Sequence, residues 1–259
     1  MSTFKASYSK LRIHLVCPLQ YKYLYIDGLW EMKKPRPHLS MGESVHRALG
    51  AFYKITDPEQ RTLPILQKML RAHWQRRGYK DENEERQWGI KALDMLGRYF
   101  DRMDPLAKPA LIEEGFQVPF GDLKLTGRID RADRLEDGTY ELIDYKTGNP
   151  SQERDLQIAC YTLGIQLKHK FDVTKFSYHM LAVDRAITVS VTPDSVASGL
   201  RRIKEIVDAI RNTERFQPTP NELCGWCDFT ELCPVYESMG SGAEEPNWEQ
   251  GNGELDCGP

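Results

Sequence analysis

The stretch from Gly127 to Gly148, GRIDRADRLEDGTYELIDYKTG, constrains the fold more than any other part of the chain. Apolar and polar residues alternate through Gly127 to Leu135 and again through Tyr140 to Lys146, the period of two that a half-buried strand requires. Glu136-Asp137-Gly138 between them is hairpin-turn chemistry. Side chains on a strand alternate between faces, so Asp144 and Lys146 share one and Ile143 and Tyr145 the other. Asp130, on the first strand, reaches the Asp144 side if the hairpin register allows it. Two carboxylates and a lysine on one sheet face would make a divalent-metal site with a cation beside it, an arrangement suited to cleaving phosphodiesters.

The elements around this hairpin predict a mixed sheet flanked by helices, an α/β fold. Ser7 caps a short helix, Pro18 opens a second, and Ser40-x-x-Glu43 reads as a capping box opening a third that carries His46. Helices follow at Leu63 to Arg77 and Glu82 to Met103, and a strand at Leu111 to Phe120 precedes the hairpin, giving three consecutive antiparallel strands. A helix opening at Asn149-Pro150-Ser151, strands at Lys175 to Val183 and Ala186 to Val191, and a long helix from Thr192 to Arg211 complete the core. Four segments are expected: a helical region over 1–110, a core over 111–215, a cysteine-rich segment over 216–236 and an acidic disordered tail over 237–259.

The net charge of −3 argues against a nucleic-acid partner until its distribution is considered. Six acids and no Lys or Arg lie beyond Tyr236, and residues 1–80 hold fifteen Lys or Arg against five acids. A phosphate-facing surface would therefore be built from the N-terminal third. No apolar run approaches the roughly 20 residues that span a bilayer, and the N-terminus has no apolar segment behind a basic start. The expectation is an intracellular, cytoplasmic protein with no membrane partner.

Gly42-x-x-x-His46, Gly127-Arg128-Ile129-Asp130-Arg131, Ile143-Asp144-Tyr145-Lys146-Thr147-Gly148 and Gln157-x-x-x-Tyr161 occur in that order. The combination resembles the RecB-like branch of the PD-(D/E)XK nuclease superfamily and covers nearly the whole chain apart from the tail. That resemblance implies a restriction-endonuclease-like core and a Mg²⁺ or Mn²⁺ ion held by His46, Asp130, Asp144 and the backbone carbonyl of Tyr145. It implies Lys146 beside the attacking water, and Gln157 and Tyr161, on one helix face, next to the reaction centre. Glu113 and Glu114 are possible supporting acids.

Cys224-x2-Cys227-x5-Cys233, with Cys17 more than 200 residues upstream, forms a second constellation. Clustered thiols in an intracellular protein indicate metal ligation before disulfides. Four soft ligands suit a 4Fe-4S cluster or structural zinc. AddB-type helicase-nuclease subunits and CRISPR-associated relatives use the same one-plus-three arrangement for a 4Fe-4S cluster, which makes the cluster the expected occupant here and zinc the lesser one. Cys160 reads as a buried small residue and Cys257 as idle.

The expected function is a metal-dependent DNA exonuclease in repair, recombination or replication, acting on single-stranded or end-containing DNA. The alternatives are a nuclease trimming spacer precursors in CRISPR adaptation, and a weakly active or inactive DNA-binding module of a helicase-nuclease or recombination complex. The sequence has no G-x4-G-K-[S/T] loop, so a helicase motor would sit on a separate chain.

Overall fold

The computed structural model describes residues 3–104, 106–148 and 154–236. Strand β1 (Phe4–Ala6) is followed by helices α1 (Tyr8–Val16), α2 (Pro18–Tyr25), α3 (Pro37–Tyr53), α4 (Leu63–His73) and α5 (Glu82–Arg102). Strands β2 (Leu111–Phe120), β3 (Leu123–Arg134) and β4 (Tyr140–Lys146) come next, then α6 (Arg154–His169), β5 (Val173–Met180), β6 (Arg185–Ser190) and α7 (Pro193–Asn212). The expected tail, Cys257 and the Asn149-Pro150-Ser151 helix start lie outside the described residues.

Local chemistry sets most boundaries. Ser7 accepts the amide of Lys10 at 3.2 Å, and Pro18 sits in the first turn of α2, where its missing N–H is no loss. Asp81 caps α5 by accepting from Glu84 at 2.8 Å, and Thr192 and Ser195 cap each other's amides at the start of α7. The capping box at Ser40 does not form. Helix α3 starts three residues earlier at Pro37, whose fixed φ suits a first turn, and the Ser40 hydroxyl instead donates to the Arg77 carbonyl at 2.7 Å.

Among the described residues the sheet has six strands. β2, β3 and β4 form the antiparallel series, β4 and β5 run parallel around the α6 crossover, and β6 closes the far edge antiparallel to β5. β3 begins at Leu123, four residues before Gly127, because Leu123 to Leu125 are paired on both sides, with Phe120 to Val118 of β2 and in parallel with β1. The unanticipated β1 thus places the N-terminal residues in the same sheet as the hairpin.

Helices cover both faces. Leu142 belongs to the core shared with α1, α6 and α7, whereas Ile143 and Tyr145 belong to the core shared with α3, α4 and α5. The C-terminal segment returns to α1 and α2: Tyr21 stacks on Phe216, Tyr23 donates to the Leu232 carbonyl at 2.8 Å, and Asn221 donates to the Val16 carbonyl at 3.3 Å.

Candidate active site

The β3–β4 ladder ends at the Arg131–Ile143 pair. Just beyond, Asp130 Oδ2 accepts the Tyr145 amide at 2.8 Å, so a carboxylate replaces a backbone partner where the strands separate. The other oxygen, Oδ1, lies 3.1 Å from His46 Nδ1. Asp130 is therefore turned toward α3.

Glu113 completes this group from β2. It drops out of the β2–β3 ladder between the Ile112–Arg131 and Glu114–Ile129 pairs, with φ at +52°, a left-handed backbone that residues other than glycine rarely adopt. Its neighbour Glu114 is fixed to the end of α6 by Lys168 at 2.7 Å and His169 at 2.8 Å. Ligand atoms of His46, Glu113 and Asp130 all lie within 4.8 Å of one another. Burial, and then the charge of Asp130, push the Glu113 carboxyl above its ordinary range, with Arg128, 3.2 Å away, pulling it partly back. Two hard carboxylates and an imidazole converging so closely are the donor set that a small divalent cation takes, and the residues fit Mg²⁺ or Mn²⁺.

The Gly42-x-x-x-His46 spacing has a steric cause. Gly42, His46 and Gly50 are successive positions four apart on one face of α3. A Cβ on Gly42 would stand 3.0 Å from Thr147 Oγ1, and one on Gly50 would stand 2.9 Å from Glu113 Cγ. Bare backbone on either side of His46 lets α3 approach both the end of β4 and the bend in β2.

Asp144 and Lys146 share the face of β4 that turns away from Ile143 and Tyr145, as their spacing predicts, with Nζ and Oδ2 3.0 Å apart and each residue 6% exposed. Gln157, buried on α6, donates Nε2–H to Asp144 Oδ1 at 2.8 Å. Asp144 thus lies with Lys146 and Gln157, outside the trio of His46, Glu113 and Asp130. Tyr161 sits one turn beyond Gln157, its ring edge-on to Phe116 at 5.9 Å. The Tyr145 ring lies on the α3 side, edge-on to His46 at 6.2 Å. Sequence reasoning gave Glu113 only a supporting place; its left-handed bend carries no residue signature.

Cys17, at the junction of α1 and α2, and Cys224, Cys227 and Cys233 line one pocket. The Asn221 amide donates to Cys224 Sγ at 3.3 Å, and burial pushes the Cys227 thiol up to about 11. Four half-buried thiols lining one pocket are a donor set for a soft metal or cluster. Cys160 lies apart inside α6, fully buried and pushed up to about 12. Among the described residues no helix is long and apolar enough to cross a membrane.

The chain is similar to the gene 69 protein of Mycobacterium phage L5, 32% identical over half of this chain and 46% of that protein. It is 23% identical to the gene 69 protein of Mycobacterium phage D29, over 89% of this chain and 97% of the relative. One component of an ATP-dependent helicase/deoxyribonuclease of Streptococcus uberis is 29% identical over 49% of this chain, which spans 12% of that relative. Among solved structures, a candidate exonuclease of Eubacterium rectale shares the fold, with a TM-score of 0.52, 14% identity, and coverage of 85% of this chain and 86% of that one. The PD-(D/E)XK nuclease superfamily matches residues 5–234. That match begins in β1 and ends just past Cys233, enclosing the sheet, both carboxylate groups and all four pocket cysteines, and the chain belongs to the PD-(D/E)XK nuclease superfamily.

Proposed function

We propose that the protein is a Mg²⁺- or Mn²⁺-dependent DNA exonuclease. The observation that carries this reading is the convergence of His46, Glu113 and Asp130 to within 4.8 Å, with the buried Asp144–Lys146 pair on the adjoining strand.

His46, Glu113 and Asp130 would hold the cation, with Asp144 and the Tyr145 carbonyl as the further ligands that the family resemblance supplies. When bound, such a cation acidifies a coordinated water and offsets charge gathering on the scissile phosphate. Lys146 places an ammonium beside that charge, in surroundings dry enough to strengthen the interaction. Gln157 fixes Asp144 through the 2.8 Å hydrogen bond, and Tyr161 follows on the same helix face. Cys17, Cys224, Cys227 and Cys233 would hold a 4Fe-4S cluster that ties α1 and α2 to the C-terminal segment. In this arrangement residues 1–110 supply His46 and Cys17, 111–215 the sheet, and 216–236 the remaining thiols. Similarity to a component of a helicase/deoxyribonuclease supports a helicase or recombination protein on a separate chain as a partner.

The test is digestion of single-stranded, double-stranded and circular DNA, labelled at either end, with Mg²⁺, Mn²⁺ or chelator. Loss of label from linear DNA, with circles spared and chelated samples inert, is the expected result. Cleavage of circles at the same rate overturns the exonuclease assignment, and cleavage in chelator overturns the metal dependence.

A further inference from the structure

We propose that Arg131 is a positioning residue for the metal centre, acting through Tyr145; this rests on the reading of His46, Glu113 and Asp130 as cation ligands. Arg131 follows Asp130 in β3, and its pairing with Ile143 places it on the α3–α5 face. It is 5% exposed. Nε donates to Asp133 Oδ1 at 2.7 Å, and a second guanidinium nitrogen donates to the other oxygen of the same carboxylate. The guanidinium carbon lies 4.0 Å from the centre of the Tyr53 ring.

Three buried phenols join this cation to the site. Tyr53 Oη and Tyr99 Oη are 2.7 Å apart, and Tyr99 Oη and Tyr145 Oη 3.2 Å apart. The hydroxyl end of Tyr145 is thereby fixed by Tyr99 and faces Arg131, while its amide is fixed by Asp130 Oδ2 at 2.8 Å.

The position of this clasp gives it a role. On the β3 side the backbone ladder has already ended at Arg131–Ile143, so the Tyr145–Asp130 hydrogen bond carries the alignment of the two strands past that point. Holding Tyr145 keeps Oδ2 of Asp130 engaged and leaves Oδ1 directed at His46, 3.1 Å away. A ring free to shift would let the carboxylate rotate, and the ligand atoms would lose their common focus. Asp130 and Arg131 are thus adjacent residues that grip Tyr145 from its two ends.

The experiment is a Mn²⁺ titration followed by electron paramagnetic resonance, with no DNA present, on wild type, Tyr145→Phe, Arg131→Lys and the double variant, alongside unfolding midpoints. Tyr145→Phe keeps the ring and removes only the hydroxyl; Arg131→Lys keeps the charge and loses the fork to Asp133. Each is expected to weaken Mn²⁺ binding about tenfold, as groups that orient ligands do, and the double variant to be no weaker than the weaker single one. Folded Tyr145→Phe that binds Mn²⁺ within about twofold of wild type overturns the proposal, whatever its midpoint and even if Arg131→Lys fails to fold. Wild type that binds no Mn²⁺ overturns the metal-centre reading and this proposal with it.

Discussion

Gln157 donates its side-chain N–H to Asp144 Oδ1 at 2.8 Å, tying α6 to the strand that carries the Asp144–Lys146 ion pair. Both partners of that pair are buried, which decides how the site can be probed. In Asp144→Ala the Lys146 ammonium loses its carboxylate, and breaking a buried pair from one side costs about 3–5 kcal/mol. Asp144→Asn keeps the shape and an acceptor for Gln157. Both variants are expected to lose DNA cleavage by about a hundredfold or more, whereas the alanine variant alone loses much of its stability. Cleavage rates measured beside urea unfolding separate the effects, and an active Asp144→Asn enzyme contradicts the assigned role.

Glu113 sets stability against ligation. Its left-handed backbone costs an L-residue about 1–2 kcal/mol that glycine avoids. Glu113→Gly also removes a half-buried carboxylate that sits beside Asp130. The metal-free variant is expected to be more stable by roughly 1 kcal/mol and to bind Mn²⁺ at least about tenfold more weakly. Calorimetric unfolding and Mn²⁺ titration read the two quantities independently; unchanged Mn²⁺ affinity removes Glu113 from the ligand set.

Two half-buried imidazoles predict an acid-sensitive fold. Burial first, then Arg36 at His38 and Arg131 with Arg102 at His179, push each ring down to about 4 from 6.5. Below about 6.5 the unfolded chain takes up protons that the folded one refuses, so stability is full above that pH and falls as pH drops toward 4. Each ring contributes up to about 3 kcal/mol across this window. Urea midpoints between pH 7.5 and 4.5 are expected to fall less steeply in His179→Gln than in wild type; identical slopes count against the assignment.

The cysteine pocket predicts a coloured protein. Anaerobically purified material is expected to be brown, with iron and sulfide in equal amounts, and Cys17→Ser is expected to bleach it. The same change frees α1 and α2 from the C-terminal segment, so limited proteolysis near both ends is expected to accelerate. Stoichiometric zinc in a colourless protein contradicts the 4Fe-4S assignment while leaving the four thiols as ligands.

Much of this architecture is legible in the residues because local rules and tertiary packing agree. Alternation gives β4 its bounds and the shared face of Asp144 and Lys146, and the Thr192 cap gives the start of α7. Ser40 fails as a cap because Pro37 offers a better first turn three residues earlier. Strand β1 eludes pattern reading because three residues carry no period, and its partners Leu123 to Leu125 lie almost 120 residues away. Glu113 and the Arg131–tyrosine clasp are hidden for a related reason: a backbone bend and a meeting of residues 53, 99, 131 and 145 are long-range facts.

The parallel pairing of β1 with β3 also bears on how the protein folds. Phe4 meets Leu123 and Val16 meets Asn221, so the chain must close loops of more than 100 and more than 200 residues before its ends are anchored. Closing entropy grows only with the logarithm of loop length, but contacts of such high sequence separation slow the search. The β3–β4 hairpin, joined by the five residues 135–139, is free to form early, while the edge of β3 that receives β1 waits open. Among the described residues the N-terminal and C-terminal segments are therefore the last parts to dock, and a growing polypeptide gains the Val16–Asn221 contact only after every strand of the sheet has been made.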